Sequence, residues 1–95
     1  NYQVKRIHVY PQEQLSVQKH FHRSERWIVI KGEAEIQVGD NKERYPVGSM
    51  ISIGKEEIHS LANPTDSDVE IIEVQLGNYL GEDDIVRYSD KYGRD

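Results

Sequence analysis

Apolar residues recur along this chain mainly at every second position, in short runs that turn-forming residues separate. A period of two is typical of β-strands with one buried face. The pattern predicts strands over residues 2–10, 15–22, 27–31, 33–38, 43–47, 50–53, 60–62 and 69–76. Glycine, asparagine and proline are frequent in the intervening segments 39–42 and 63–68, as expected of turns. We therefore expect an all-β domain, either a sandwich or a barrel.

The composition changes after Gly77, where charged residues dominate. Three consecutive acidic residues at 82–84 suit a helix N-terminus, because the helix dipole favours negative charge there. We therefore expect a short C-terminal helix over residues 82–88, followed by a loose tail.

Length and charge limit the possible functions. Ninety-five residues form one domain, residues 1–95, with a small core that a closed sheet would suit. The net charge of −5 argues against a nucleic-acid partner, and no apolar run is long enough to span a membrane. The absence of cysteine fits a cytoplasmic protein. The chain begins with Asn1 rather than Met, which leaves room for an upstream segment.

The stretch from residue 18 to 27 contains the most informative chemistry. His20 and His22 are two residues apart, a spacing of roughly 6.5 Å on one face of a strand. Both imidazoles can then reach one ion, and Glu25 can join them if the chain turns at residues 23–24. Two solvent-facing histidines explain this spacing equally well. His59, which follows a turn-rich segment, is placed as a fourth ligand would be and favours a metal site.

These residues resemble the two motifs of the cupin barrels. The first motif is matched by His20, His22, Glu25 and Gly32, and the second by Gly48, Gly54, Glu56, His59 and Asn63. Residues 15–27, 72–88 and 92–94 are similar to the type II mannose-6-phosphate isomerase domain, and the similarity extends over nearly the whole chain. The resemblance implies a single cupin barrel, also called a double-stranded β-helix or jelly roll.

The resemblance also implies a function. His20, His22, Glu25 and His59 would bind one divalent ion, and this donor set suits Zn, Mn, Fe, Co or Ni about equally. The expected reaction interconverts mannose 6-phosphate and fructose 6-phosphate by moving a proton between C1 and C2. The small-molecule partner would be a sugar phosphate, and cupins commonly pair, so we expect a homodimer.

Substrate-handling residues are predicted from the same resemblance. Glu73 and Gln75 match a Glu-x-Gln pattern of the family, and Glu73 is the candidate general base, although a surface carboxylate fits the sequence equally well. Arg94, Arg23 and Lys19 are candidate phosphate ligands. Arg94 matches the family ending, but a solvated terminal arginine would look the same.

Several positions depart from the family pattern. Arg26 replaces a histidine, Ser60 and Ala62 replace an arginine and a glutamate, and Gly54 and Glu56 replace a proline and a glycine. None is a predicted metal ligand. These changes leave two alternatives open: a non-catalytic metal-binding cupin that binds a sugar or sugar phosphate, and another cupin enzyme such as a non-haem metal dioxygenase. The nucleotidyltransferase half of the family has no counterpart in these residues, so GDP-mannose synthesis is not expected of them.

Overall fold

The computed structural model describes residues 1–88, which form nine β-strands and no helix. The strands are β1 (Tyr2–Val9), β2 (Gln18–Lys19), β3 (Arg23–Lys31), β4 (Ala34–Val38), β5 (Asn41–Tyr45), β6 (Met50–Ile53), β7 (His59–Ala62), β8 (Val69–Gly77) and β9 (Val86–Arg87). The expected all-β class is confirmed. Within residues 1–88, no helix is long and apolar enough to cross a membrane.

The strands form two antiparallel sheets. One sheet has the order β1-β8-β3-β6, and the other has the order β5-β4-β7-β2-β9. In the first sheet β8 pairs with β1 along one edge and with β3 along the other, so that Trp27 lies opposite Glu73 and Glu25 lies opposite Gln75. This register places polar residues of β3 and β8 side by side.

The inward faces of β3 and β8 change from apolar to polar along their length. Val29 and Ile71 face each other at one end, inside a core of ten buried apolar residues. Towards the other end the buried positions are Arg23 and Glu25 on β3 and Glu73 and Gln75 on β8. A buried charge is tolerated only where it is paired or hydrogen-bonded, so this end of the interior is built as a polar site.

Three loop residues fix the path between strands. Gly32 has φ +77°, and a Cβ there would overlap the carbonyl oxygen of Asp68. Glu56 adopts φ +62°, a left-handed conformation that glycine accepts more readily. Asn63 is 1% exposed, and its side-chain amide makes four hydrogen bonds to residues 9, 65 and 67.

The C-terminal helix predicted over residues 82–88 is wrong. Residues 86–87 instead form β9, which pairs with β2 at the edge of the second sheet. The acidic run does not cap a helix, because the Asp84 carboxylate accepts hydrogen bonds from the backbone amides of Phe21 and His22. Pairing to a distant strand therefore outweighs the local helix signal. Arg94 and the rest of the predicted tail lie outside the described residues.

The chain also bends earlier than expected near the predicted metal motif. Of the strand predicted over residues 15–22, only Gln18–Lys19 form a strand, and an isolated bridge lies just before this range, at Gln14. The expected turn at residues 23–24 is wrong: the bend lies at residues 21–22, and β3 begins at Arg23. As a result the residues that alternate into the interior are Arg23, Glu25 and Trp27.

Candidate metal centre and cavity

Three buried side chains converge at the polar end of the barrel. His20 follows β2, Glu25 lies on β3, and His59 begins β7, so both sheets contribute. Each offers a donor atom, and the three atoms lie within 4.8 Å of one another. His20 Nε2 is 3.4 Å from Glu25 Oε2, and the two imidazole centroids are 5.2 Å apart. The side chains are at most 3% exposed, which isolates the cluster from bulk water.

Backbone carbonyls orient both imidazoles of the cluster. His20 Nδ1 lies 2.6 Å from the carbonyl oxygen of Asp84, and His59 Nδ1 lies 2.9 Å from that of Glu57. A carbonyl only accepts, so each Nδ1 is the protonated nitrogen and each Nε2 presents a lone pair to the cluster. Burial lowers the pKa of both His20 and His59, although the hydrogen bonds to these carbonyls oppose the shift. Both rings are therefore neutral near pH 7.

Glu25 is held by two neighbours on its own strand. Its Oε1 accepts a 2.8 Å hydrogen bond from Trp27 Nε1, and its Oε2 accepts one of 2.8 Å from Arg23 Nε. Arg23 also places Nη2 3.2 Å from His20 Nε2, where the guanidinium donates to the imidazole lone pair. Arg23 is only 7% exposed, so its charge is balanced inside the barrel by Glu25.

A second carboxyl, Glu73, lies beside Glu25. Burial, together with a hydrogen bond to Glu25 and the charge of that residue, raises the pKa of Glu73 to about 7. Gln75 Nε2 donates to Glu73 Oε1 at 3.1 Å, while Gln75 Oε1 has no hydrogen-bond partner among the described residues. Glu73 thus sits where its protonation state responds to pH near neutrality.

The cluster opens into a cavity of about 120 Å³. Its lining combines the polar residues of β3, β7 and β8 with the segment before β2. The residues are Ile7, Leu15, Ser16, Gln18, Arg23, Glu25, Trp27, His59, Ser60, Leu61 and Glu73. This volume is below the roughly 300 Å³ at which ligand sites usually begin. A ligand of ordinary size would therefore need Arg23 or another lining side chain to move.

The structure does not bring every predicted site residue into this cavity. His22 is exposed after the bend, and its ring packs edge-on against Tyr79 with centroids 6.0 Å apart. Lys19 lies with Nζ 4.9 Å from the Phe21 ring centroid and does not line the cavity. Of the departures from the family pattern, Ser60 lines the cavity, whereas Arg26 and Ala62 do not.

Sequence reasoning missed two residues at the site. The sequence places Trp27 in a predicted strand, and its position two residues after Glu25 puts both side chains on one face. The acidic run predicts a helix terminus at Asp84, and no local pattern reveals its contacts with residues 20–22, more than sixty positions away. Burial opposes ionisation of Asp84, but the amides of Phe21 and His22 stabilise the carboxylate and hold its pKa below the usual value.

The donor set fits a divalent ion. Two neutral imidazoles whose unprotonated Nε2 atoms face the cluster, together with one carboxylate, are the ligands that Zn²⁺ and related ions take. With bonds of about 2.1 Å, donors at opposite positions on an ion are about 4.2 Å apart, and the three donor atoms here lie within 4.8 Å of one another. An ion bound to His20 Nε2 would use the lone pair that Arg23 contacts, so the two compete for one site.

Solved structures with the same architecture define the class of this domain. An uncharacterised Klebsiella pneumoniae protein with a double-stranded β-helix domain matches with a TM-score of 0.81 at 20% identity, over 94% of this chain and 76% of that one. A cupin 2 conserved barrel domain protein from Salinispora arenicola matches with a TM-score of 0.70 at 23% identity, over 78% and 61%. The two sheets are those of a cupin barrel, and the histidine–carboxylate cluster in its interior could hold a metal ion.

Sequence comparison then identifies the family. Residues 1–90 match the family described as mannose-6-phosphate isomerase C-terminal, and the chain belongs to it. The chain is 48% identical over 93 residues to a mannose-1-phosphate guanylyltransferase from Salmonella montevideo, and 50% identical over 93 residues to the xanthan biosynthesis protein XanB from Xanthomonas campestris pv. campestris. Each match covers 98% of this chain but 20% of the relative, so the chain spans about one fifth of their length.

Proposed function

We propose that this domain is a metal-dependent isomerase that interconverts mannose 6-phosphate and fructose 6-phosphate. The observation that supports it best is the coincidence of the family match over residues 1–90 with a buried cluster of metal donors beside a second buried carboxyl, Glu73. An aldose–ketose isomerase needs an electrophile at the carbonyl and a base at the neighbouring carbon. One cavity of this domain offers residues suited to both tasks.

The metal would be held by His20, Glu25 and His59. When bound, a divalent ion such as Zn, Mn, Fe, Co or Ni supplies Lewis-acid polarisation of the sugar carbonyl. His22 stays a prediction as the fourth ligand, because its imidazole joins the cluster only if the bend at residues 21–22 reorganises. Trp27 holds the Glu25 carboxylate in the orientation that faces the histidines.

Glu73 is the proposed general base. It would take the proton from C2 of mannose 6-phosphate and return it to C1, while the hydroxyl proton of O2 passes to O1. The product, fructose 6-phosphate, has the same atoms and charge as the substrate. Gln75 would position the Glu73 carboxyl through its side-chain amide, and the low exposure of both residues keeps water from competing for the proton.

The phosphate requires a cation. Arg23 is the proposed ligand in the cavity wall, since a guanidinium binds phosphate oxygens in pairs. Arg94 is proposed as a second ligand from the resemblance alone, and Lys19 would have to move from Phe21 to take part. A cytoplasmic location and a homodimer stay predictions.

The proposal is tested by a coupled assay of both sugar phosphates, with and without a chelator. We expect chelation and His59→Ala to abolish turnover. Glu73→Gln should lower kcat by about 10²–10⁴-fold, the usual contribution of a general base, while Co²⁺ binding is retained. His8→Ala is the matched control, because His8 packs on Tyr10 and pairs with Asp68 outside the cavity.

A second candidate function is a sugar-phosphate-binding module without catalysis. It is favoured by Ser60, which stands in the cavity wall where the family has arginine. Metal-loaded wild type that turns over neither sugar phosphate, but binds mannose 6-phosphate in calorimetry, would refute the isomerase and support this module.

An Arg94→Ala variant with a raised KM and unchanged kcat would support the phosphate role of Arg94 in the isomerase.

A further inference from the structure

We infer that Asp84 is a positioning residue that fixes the orientation of His20 in the metal cluster. The inference rests on the metal centre of the proposed function but not on the sugar substrate. Asp84 is 6% exposed and contacts the bend at residues 20–22 through both its side chain and its backbone. It touches no other member of the cluster through any hydrogen bond seen in residues 1–88, so its effect would pass through His20.

The Asp84 side chain holds the bend itself. Its two carboxylate oxygens accept hydrogen bonds of 2.9 Å from the amides of Phe21 and His22. Neither amide belongs to a strand, so the carboxylate supplies the partners that a sheet would otherwise provide. Since a hydrogen bond to a charged group is among the stronger ones in proteins, this contact defines where the chain turns after His20.

The Asp84 backbone carbonyl holds the imidazole. It accepts from His20 Nδ1 at 2.6 Å, which leaves Nε2 without a proton and directed at Glu25 and Arg23. A partner on the far nitrogen of a metal-binding histidine fixes its tautomer and ring orientation, and loss of such a partner typically costs 10–100-fold in metal affinity.

The segment around Asp84 is anchored on both sides. Residues 86–87 pair with β2, and the amide of Tyr88 donates to the carbonyl of Val17. On the other face of the bend, the His20 carbonyl accepts from the amide of Glu56, in the loop that leads to His59. Pairing of β9 with β2 thus holds Asp84 against the bend. The loop that contains Glu56 contacts the same bend.

The test compares Asp84→Ala and Asp84→Asn with Asp83→Asn. Asp83 is the neighbouring carboxylate, it is exposed, and it accepts from Tyr79 rather than from the bend. Co²⁺ affinity is measured by calorimetry on the full chain. Asp84→Ala keeps the backbone carbonyl but removes the two acceptors that hold the segment on the bend, so we expect it to weaken binding by up to about 100-fold, the cost of losing the His20 partner completely. Asp84→Asn should weaken it less, because one oxygen still accepts, and Asp83→Asn should leave it unchanged.

Nitrogen-15 NMR of the histidines in the metal-free protein gives a readout that a general loss of stability would not change. Wild type and Asp83→Asn should show His20 with the proton on Nδ1, and Asp84→Ala should show mixed tautomers. A folded Asp84→Ala that keeps wild-type Co²⁺ affinity and the pure Nδ1 tautomer overturns the inference. If Asp84→Ala does not fold, the Co²⁺ affinity and the His20 tautomer of Asp84→Asn decide the role of Asp84. Wild type that binds no Co²⁺ would refute the metal centre, whereas the tautomer of His20 would still decide the role of Asp84.

Discussion

Replacing Glu73 with glutamine should make the metal-free domain more stable above neutral pH. In the folded protein the pKa of Glu73 is about 7, against an ordinary value of 4.5, so folding favours the protonated form. As the pH rises from 4.5 to 7, the unfolded chain loses this proton before the folded protein does. The folded state then binds more protons than the unfolded state, and its stability falls with increasing pH.

The size of the effect follows from the shift. One pKa unit corresponds to about 1.4 kcal/mol, so the shift of Glu73 costs the folded protein about 3 kcal/mol once the pH exceeds 7. About 2 kcal/mol of this arises between pH 5 and pH 8. Glutamine keeps the size of the side chain and an acceptor for Gln75, and its amide can still donate to Glu25, but it cannot ionise.

The assay is urea unfolding of wild type and Glu73→Gln at several pH values between 5 and 8, with chelator present. Glu25, Arg23, His20 and His59 lie around Glu73, and the substitution leaves all four in place while it removes the Glu73 carboxyl. The compared quantity is the free energy of unfolding of wild type minus that of Glu73→Gln. We expect it to fall by about 2 kcal/mol from pH 5 to pH 8. A difference that stays constant with pH would show that folding does not raise the pKa of Glu73.

Three further predictions concern the loops and use thermal or urea unfolding. Glu56→Gly should stabilise the fold by up to about 1 kcal/mol by relieving a left-handed backbone, whereas Lys55→Gly, at an ordinary φ, should destabilise it; equal effects would contradict this. Gly32→Ala should lower the free energy of unfolding by about 3 kcal/mol or more. Gly39 also has positive φ but has open space around it, so Gly39→Ala should lower it by about 1 kcal/mol. Equal losses would show that backbone overlap at Gly32 is unimportant. Asn63→Ala should cost about 3 kcal/mol, because it leaves buried backbone groups without partners, and a loss below about 1 kcal/mol would argue against that role.

The alternation of apolar and polar residues predicts the all-β class and most of the longer strands. Alternation of apolar and polar residues defines which side of a strand is buried, and the breaks in that pattern at Glu73 and Gln75 correspond to the polar end of the interior. The resemblance to the mannose-6-phosphate isomerase domain, which the family match over residues 1–90 confirms, rests on residues 15–27, 72–88 and 92–94. Strand periodicity and family motifs can both be read from the order of residues along the chain.

What could not be predicted depended on contacts between distant segments. The bend at residues 21–22 rather than 23–24 turns His22 to the surface and Arg23 inward, and the bend is fixed by Asp84 near the other end of the chain. The same contact, with pairing of β9 to β2, explains why residues 82–88 form no helix. The local preference for a turn at residues 23–24, or for a helix over residues 82–88, is weak compared with such tertiary contacts.

The pairing of β1 with β8 joins segments far apart in the chain. Val9 lies opposite Val69 and Tyr2 opposite Leu76, at sequence separations of 60 and 74 residues. Such long-range pairing slows folding, because loop-closure entropy is lost before the contacts form. During synthesis at about 5–20 residues per second, β1 would wait roughly 3–15 s for its partner strand. Throughout that interval its apolar residues would be accessible to chaperones and to other nascent chains, so this barrel closes only after its last long strand has left the ribosome.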